Sequence, residues 1–116
     1  MVFLNYPMIT LNTTFYIHPS LETEFVSWVR EFYIPSATES GLCNPSMSII
    51  LANVGEDVIG FALQFDAQEL SVAEKWHDGK GGCVRADFIS RHGQKALFFS
   101  TYLEKLPIES DGTQSF

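Results

Sequence analysis

An α+β domain of β-α-β-β-α-β order is the fold this chain's hydrophobic rhythms predict. Apolar residues recur at every second position in Met8–Ile17, Ser46–Val54, Val58–Ala67 and Gln94–Leu103, the period of a half-buried strand. Helical spacing governs the stretch after the first of these runs and the stretch before the last. Only Gly55-Glu56-Asp57 parts the second run from the third. That order is the split-βαβ, or ferredoxin-like, arrangement. Right-handed crossovers constrain both βαβ connections. The expected sheet is therefore antiparallel overall, in order 4-1-3-2, with strands one and three side by side and parallel at its centre and both helical regions on one face.

Each element has its own grounds. In the first strand Ile9, Leu11, Thr13, Phe15 and Ile17 alternate with Thr10, Asn12, Thr14 and Tyr16. Pro19-Ser20 stops it, because Pro cannot donate to a ladder. Ser20 is the expected N-cap, with Glu22 and Glu24 favouring the dipole of the first helix. Leu21, Phe25, Trp28, Val29 and Phe32 make that helix's apolar stripe. Pro35 predicts a kink, followed by a short segment from Ser36 to Ser40, and Gly41 suits the left-handed C′ position. Strands two and three form a hairpin around a loop whose Gly55 permits positive φ. In the second helical region Leu70, Ala73 and Trp76 form one stripe, Val84 and Phe88 another. Gly79, Gly81 and Gly82 between them predict a break, a kink or two short helices. Arg91-His92-Gly93 reads as a helix C-terminus, with His92 a capping residue.

The 116 residues leave room for one domain, expected over 8–106, with 1–7 and 107–116 as flexible tails. Ten Phe make the chain rich in large apolar side chains. A formal charge of −7, with seven dispersed Lys and Arg, argues against nucleic acid. No apolar run reaches the roughly 18 residues of a membrane span, and residues 1–7 do not read as a signal peptide. Cys43 and Cys83 share no CxxC or His spacing; both are expected as reduced thiols filling space as small hydrophobes in a cytoplasmic protein. No metal site and no cofactor are expected from three scattered His. There is no nucleophile elbow, P-loop or dinucleotide fingerprint.

The helix-covered sheet face is expected to hold Ile9, Leu11, Phe15, Ile17, Ile59, Phe61, Leu63, Phe65, Leu97, Phe99 and Leu103. The open face then carries Asn12, Thr14, Tyr16, Gly60, Ala62, Gln64, Phe98, Ser100 and Tyr102. So mixed a face is suited to meeting another sheet or a ligand. Tyr16, Phe98 and Tyr102 predict a homodimer closed across it, because a two-fold pair uses the same patch twice. Asn12, Thr14, Gln64 and Ser100 are the candidate cavity-lining residues. Either they orient a small ligand, or they are the satisfied polar groups of a dimer interface. His77, next to Trp76, is a weaker candidate, read either as a surface His beside Asp78 or as a group that orients a substrate or ligates haem. His18 reads as a loop residue.

Asn12-Thr13-Thr14-Phe15, Trp28, Ile34-Pro35, Ser40-Gly41-Leu42, Phe61-Ala62-Leu63-Gln64-Phe65 and the closing run from Gly93 to Glu104 resemble a small bacterial family of unknown function. Its members are short single-domain proteins of ferredoxin-like fold, akin to the dimeric α+β barrel proteins. The resemblance spans Met8 to Glu104. The wider superfamily it implies includes cofactor-free monooxygenases, haem-degrading enzymes, stress-induced proteins and structural dimers, a range that fold analogy cannot narrow. Asn12 with Trp76-His77 is loosely similar to the haem-degrading members. The expected function is a dimeric binding or structural module with a barrel cavity for a small hydrophobic ligand. The alternative is a cofactor-independent monooxygenase or haem-degrading enzyme.

Overall fold

Pairing around the first strand sets the sheet. In the computed structural model, which describes residues 8–52, 55 and 57–108, β1 (Ile9–Ile17) lies between β3 (Ile59–Ala67) and β4 (Ala96–Glu104), and β2 (Cys43–Ile49) flanks β3. The order is therefore 4-1-3-2. Every neighbouring pair is antiparallel, β1 and β3 included. The parallel centre expected from the sequence is wrong: each crossover joins strands separated by one intervening strand, and that strand runs the other way.

β1 buries Leu11, Thr13, Phe15 and Ile17 under the helices. Opposed residues of paired strands share a face, so Phe61, Leu63 and Phe65 of β3 lie on the same side. By the same rule Ala96, Phe98, Ser100 and Tyr102 of β4, which oppose Ile17, Phe15, Thr13 and Leu11, lie there too. This reverses the expected face of β4. Leu97, Phe99 and Leu103 are 62%, 52% and 46% exposed on the open side. β4 carries apolar residues in both alternating sets, so its own pattern does not choose a face; the register with β1 does. One step of register turns every side chain over.

β2 starts at Cys43, earlier than Ser46, because a bulge between Cys43 and Ser46 accommodates Pro45 at the sheet edge. Asn44 takes φ +52° there. β2 ends at Ile49, short of the expected Val54; residues 53, 54 and 56, around the expected loop at 55–57, lie outside the described ones, and Gly55 itself has φ +133°.

The first helical region is continuous but changes pitch. A 3-10 turn (Pro19–Leu21) leads into α1 (Glu22–Trp28), a π turn (Val29–Tyr33) and α2 (Ile34–Glu39). His18, not Ser20, caps its start: the ring Nδ1 accepts the Ser20 amide at 3.1 Å. Pro35 lacks an amide hydrogen, and the π turn ahead of it adds one residue to the winding. Its extra residue delays the stripe, so Tyr33 enters the core fully buried while Phe32 is 59% exposed. α2 ends as expected on Gly41 (φ +100°). The Leu42 amide reaches the Ala37 carbonyl and the Gly41 amide that of Thr38, a Schellman motif.

The second region is two helices, α3 (Leu70–Asp78) and α4 (Lys80–His92), broken at Gly79. Gly81 and Gly82 lie inside α4. A Cβ on Gly81 would fall 2.7–2.9 Å from the Trp76 indole, so glycine is what lets the helix close on the ring. Arg91-His92-Gly93 ends α4 as expected, with Gly93 at φ +62°. His92 is bonded to Glu24 at 3.0 Å and packed on Phe88, tying α4 to α1. The core is aromatic: Phe15 meets Phe25, Trp28, Tyr33 and Phe98 with ring centroids 5.0–6.0 Å apart. Cys83 is exposed and Cys43 half-buried, so Cys83 is not the core filler expected of it.

Candidate functional site

Two groups of polar side chains lie on opposite sides of the sheet. On the open side, β1 and β3 set Asn12 opposite Gln64, and the Gln64 amide donates to the Asn12 carbonyl oxygen at 3.1 Å. Thr14 sits two pairs further along, opposite Ala62. At the other end Thr10 donates to Asp66 at 2.8 Å, joined by Asn44 and Lys105, each at 3.0 Å. Burial pushes the Asp66 carboxyl up, but the hydrogen bonds of Asn44, Thr10 and Lys105 outweigh it and hold the group below its usual value. Beside this polar row stand Leu97, Phe99 and Leu103, with Phe99 against Tyr16 at 6.0 Å.

Ser100 does not join that row. It lies under the helices, where its hydroxyl is hydrogen-bonded to Thr13 Oγ1 and to His77 Nε2, each at 2.8 Å. Phe98 and Tyr102 lie on that side with it, so they too are absent from the open face. The cause is the β4 register, and these two partners satisfy the hydroxyl there. His77 Nδ1 meets the exposed Asp78 carboxylate at 2.9 Å. The imidazole thus uses both nitrogens, one toward solvent and one toward the core, and is not a simple surface His. Tyr102 packs edge-on against it at 5.8 Å.

Arg85 and Tyr33 complete the inner group, and the sequence reading missed both. Arg85 Nη1 donates to the Tyr33 hydroxyl at 2.9 Å, and Nη2 to the His77 carbonyl at 2.8 Å. Burial pushes the Tyr33 phenol above its usual value against the pull of Arg85. The signal was present: Gly81, Arg85, Phe88 and His92 follow helical spacing and form the buried side of α4. With one large apolar residue among four, that side does not read as a stripe.

Surface hollows of about 610 and 510 Å³ lie elsewhere, one between Trp28, Phe32 and Arg91, the other between Trp76, Lys75 and Lys80. Among the described residues, no group of three or more His, Cys, Asp or Glu is placed to hold a metal ion, and no helix is long and apolar enough to cross a membrane.

A family model described as a domain of unknown function, DUF4286, matches residues 8–106. Among curated proteins none matches. Several solved structures are similar in fold. An ethyl tert-butyl ether d (ethd) family protein from Bacillus halodurans is 16% identical with a TM-score of 0.60, over 85% of this chain and 99% of its own. A dimeric ferredoxin-like protein from an uncultured marine organism is 16% identical with a TM-score of 0.57, over 89% of this chain and 99% of its own. A candidate antibiotic biosynthesis monooxygenase from Bacillus cereus is 8% identical with a TM-score of 0.53, over 89% and 97%. At these identities the likeness is one of fold.

Proposed function

The chain belongs to DUF4286, a family of unknown function, and we propose that it works as a homodimeric binding module closed across its open sheet face. The observation that carries this reading is the composition of that face. Leu97, Phe99 and Leu103 stand exposed around a row of polar side chains, a pattern suited to an interface with an apolar margin and a hydrogen-bonding centre. A second copy is the occupant, because a two-fold axis brings the same patch to itself. The acidic chain, at −7, favours burying this uncharged apolar strip over any charged stretch. A dimeric protein among the structural neighbours agrees with it.

Asn12, Thr14 and Gln64 line the space between the two sheets, where a small hydrophobic ligand with one polar end would sit beside Ala62; the space over Gly60 is filled by Ile50 and Tyr16. Cys43 and Cys83, both unpaired thiols, suit a reducing, cytoplasmic setting.

Sedimentation of the protein at tens of micromolar tests the assembly, a concentration at which even weak specific pairs associate. The wild type is expected to run as a dimer and Phe99→Glu as a folded monomer; a monomeric wild type refutes the reading. The competing reading is a cofactor-independent oxygenase or haem-degrading enzyme. It draws on His77, whose Nε2 must first leave Ser100. A Soret band on haem titration that His77→Ala abolishes would replace the binding-module reading.

A further inference from the structure

Among the described residues, Arg85 is a buried cation without an anion. It is 5% exposed, and a guanidinium does not give up its proton in a protein. Its partners are neutral: the Tyr33 hydroxyl, the His77 carbonyl, and the Phe98 ring, 4.7 Å beneath the guanidinium carbon. The ion pairs among the described residues involve Lys105, Arg91, His77 and His92, and none involves Arg85. Its Nε–H is closed off from solvent with no acceptor among the described residues. An unpaired charge and an orphaned donor are among the costliest things a core can hold.

The surroundings are those of an anion site. Ser100 and Tyr102 stand on the same side of β4, and the Ser100 hydroxyl and His77 Nε2, bonded to each other at 2.8 Å, would part to receive a ligand. Burial, followed by the nearby Asp78 and Glu74, pushes the Tyr102 phenol up against the pull of Arg85, so it stays a protonated donor at neutral pH. Both carboxylates lie toward solvent: Asp78 is bonded to His77, and Glu74 is exposed. β4 is the last strand of the sheet, so this group lies at the sheet edge, where Ser100, Tyr102 and His77 are each half-buried.

We propose that the junction of β4 with α3 and α4, between Arg85, Ser100, His77 and Tyr102, binds a small organic carboxylate whose charged end meets the Arg85 guanidinium. A planar carboxylate fits a planar fork of N–H donors, and the Phe98 and Tyr102 rings suit a flat or apolar body. The site lies on the opposite side of the sheet from the proposed dimer face and does not depend on it.

Thermal melting of the full-length protein tests this with benzoate, phenylacetate and octanoate as probes and with benzamide and inorganic phosphate as controls. At about 20 mM, at least one carboxylate is expected to raise the midpoint by several degrees in a saturable way, as a ligand specific to the native state must. Benzamide and phosphate are expected to leave it unchanged. Arg85→Met is expected to abolish the shift while melting, without probe, at or above the wild-type temperature, because it removes an uncompensated charge. Ser100→Ala is expected to stay folded and weaken the carboxylate about tenfold, the loss of one hydrogen bond to a charged group; it carries the test if Arg85→Met does not fold. Three results each overturn the proposal: no shift with any carboxylate, an equal shift with benzamide, or a shift unchanged by these substitutions.

Discussion

Replacing Gly81 by Ala puts a methyl group where the Trp76 indole already sits. The new carbon would lie 2.7 Å from Cε2, 2.8 Å from Cζ2 and 2.9 Å from Cδ2, closer than carbons approach without repulsion. The ring has nowhere to go. Trp76 is buried, packs on Tyr33 and Phe65 at 5.0 and 5.5 Å, and donates from Nε1 to Ser36 Oγ at 2.9 Å. Overpacking of this kind costs about 1–3 kcal/mol, and loss of the Ser36 bond adds about 1 kcal/mol. Ala gains back about 1 kcal/mol over Gly in a helix interior. The net expectation is a loss of about 1–3 kcal/mol, a fall in melting temperature of about 5–15 °C for a domain of this size. The assay is calorimetric or circular-dichroism melting, with Trp fluorescence reporting displacement of the indole. A Gly81→Ala protein that melts above wild type with an unchanged Trp spectrum would refute the packing assignment, because helix propensity alone would then decide.

Other substitutions probe other parts of the structure. Phe32→Ser is expected to change stability by less than about 0.5 kcal/mol, as at an ordinary surface position, while Tyr33→Ala costs about 3–5 kcal/mol; urea melts that reversed the two would place the π turn wrongly. Asp66, held below its unfolded value, contributes stability that is present above about pH 4 and is lost as pH falls through its folded value. Asp66→Asn is therefore expected to flatten the acid limb of the melting-temperature profile, and an unchanged limb would remove Asp66 as its source. Gln64→Leu is expected to alter unfolding free energy by no more than about 1 kcal/mol, because its side chain is exposed in the single chain and its amide bonds Asn12 on the open face. If the barrel holds a ligand through this amide, melting shifts induced by that ligand fall in Gln64→Leu, and equal shifts in the two proteins take Gln64 out of the site.

The strands that alternate cleanly were the ones the sequence made legible. Asn12 and Gln64 fall on one face because β1 and β3 each have one apolar and one polar side, which left a single register. Ser100 went to the wrong face because Leu97, Phe99 and Leu103 and the set Ala96, Phe98 and Tyr102 compete on equal terms, and only pairing with β1 separates them. Pro35 announced an interruption, but a proline relieves its missing hydrogen bond by a kink, a break or a π turn, and composition does not choose among these. Phe32 and Tyr33 changed places as a result. Arg85 escaped notice for the reason that makes it notable: a cation on the buried side of a helix breaks the pattern by which buried sides are recognised.

β4 has a consequence for how this chain tolerates change. Parity sorts its substitutions. At even numbers, 96, 98, 100 and 102, a side chain answers to the interior, and a poor replacement shows up as a less stable protein. At odd numbers, 97, 99, 101 and 103, it stands on the open face, and on the proposed dimer reading the same replacement is expected to leave folding intact while altering association. On that reading, neighbouring positions along one nine-residue strand would answer to separate demands. A lineage that changed its partner would be expected to vary at every second position here and to hold the positions between.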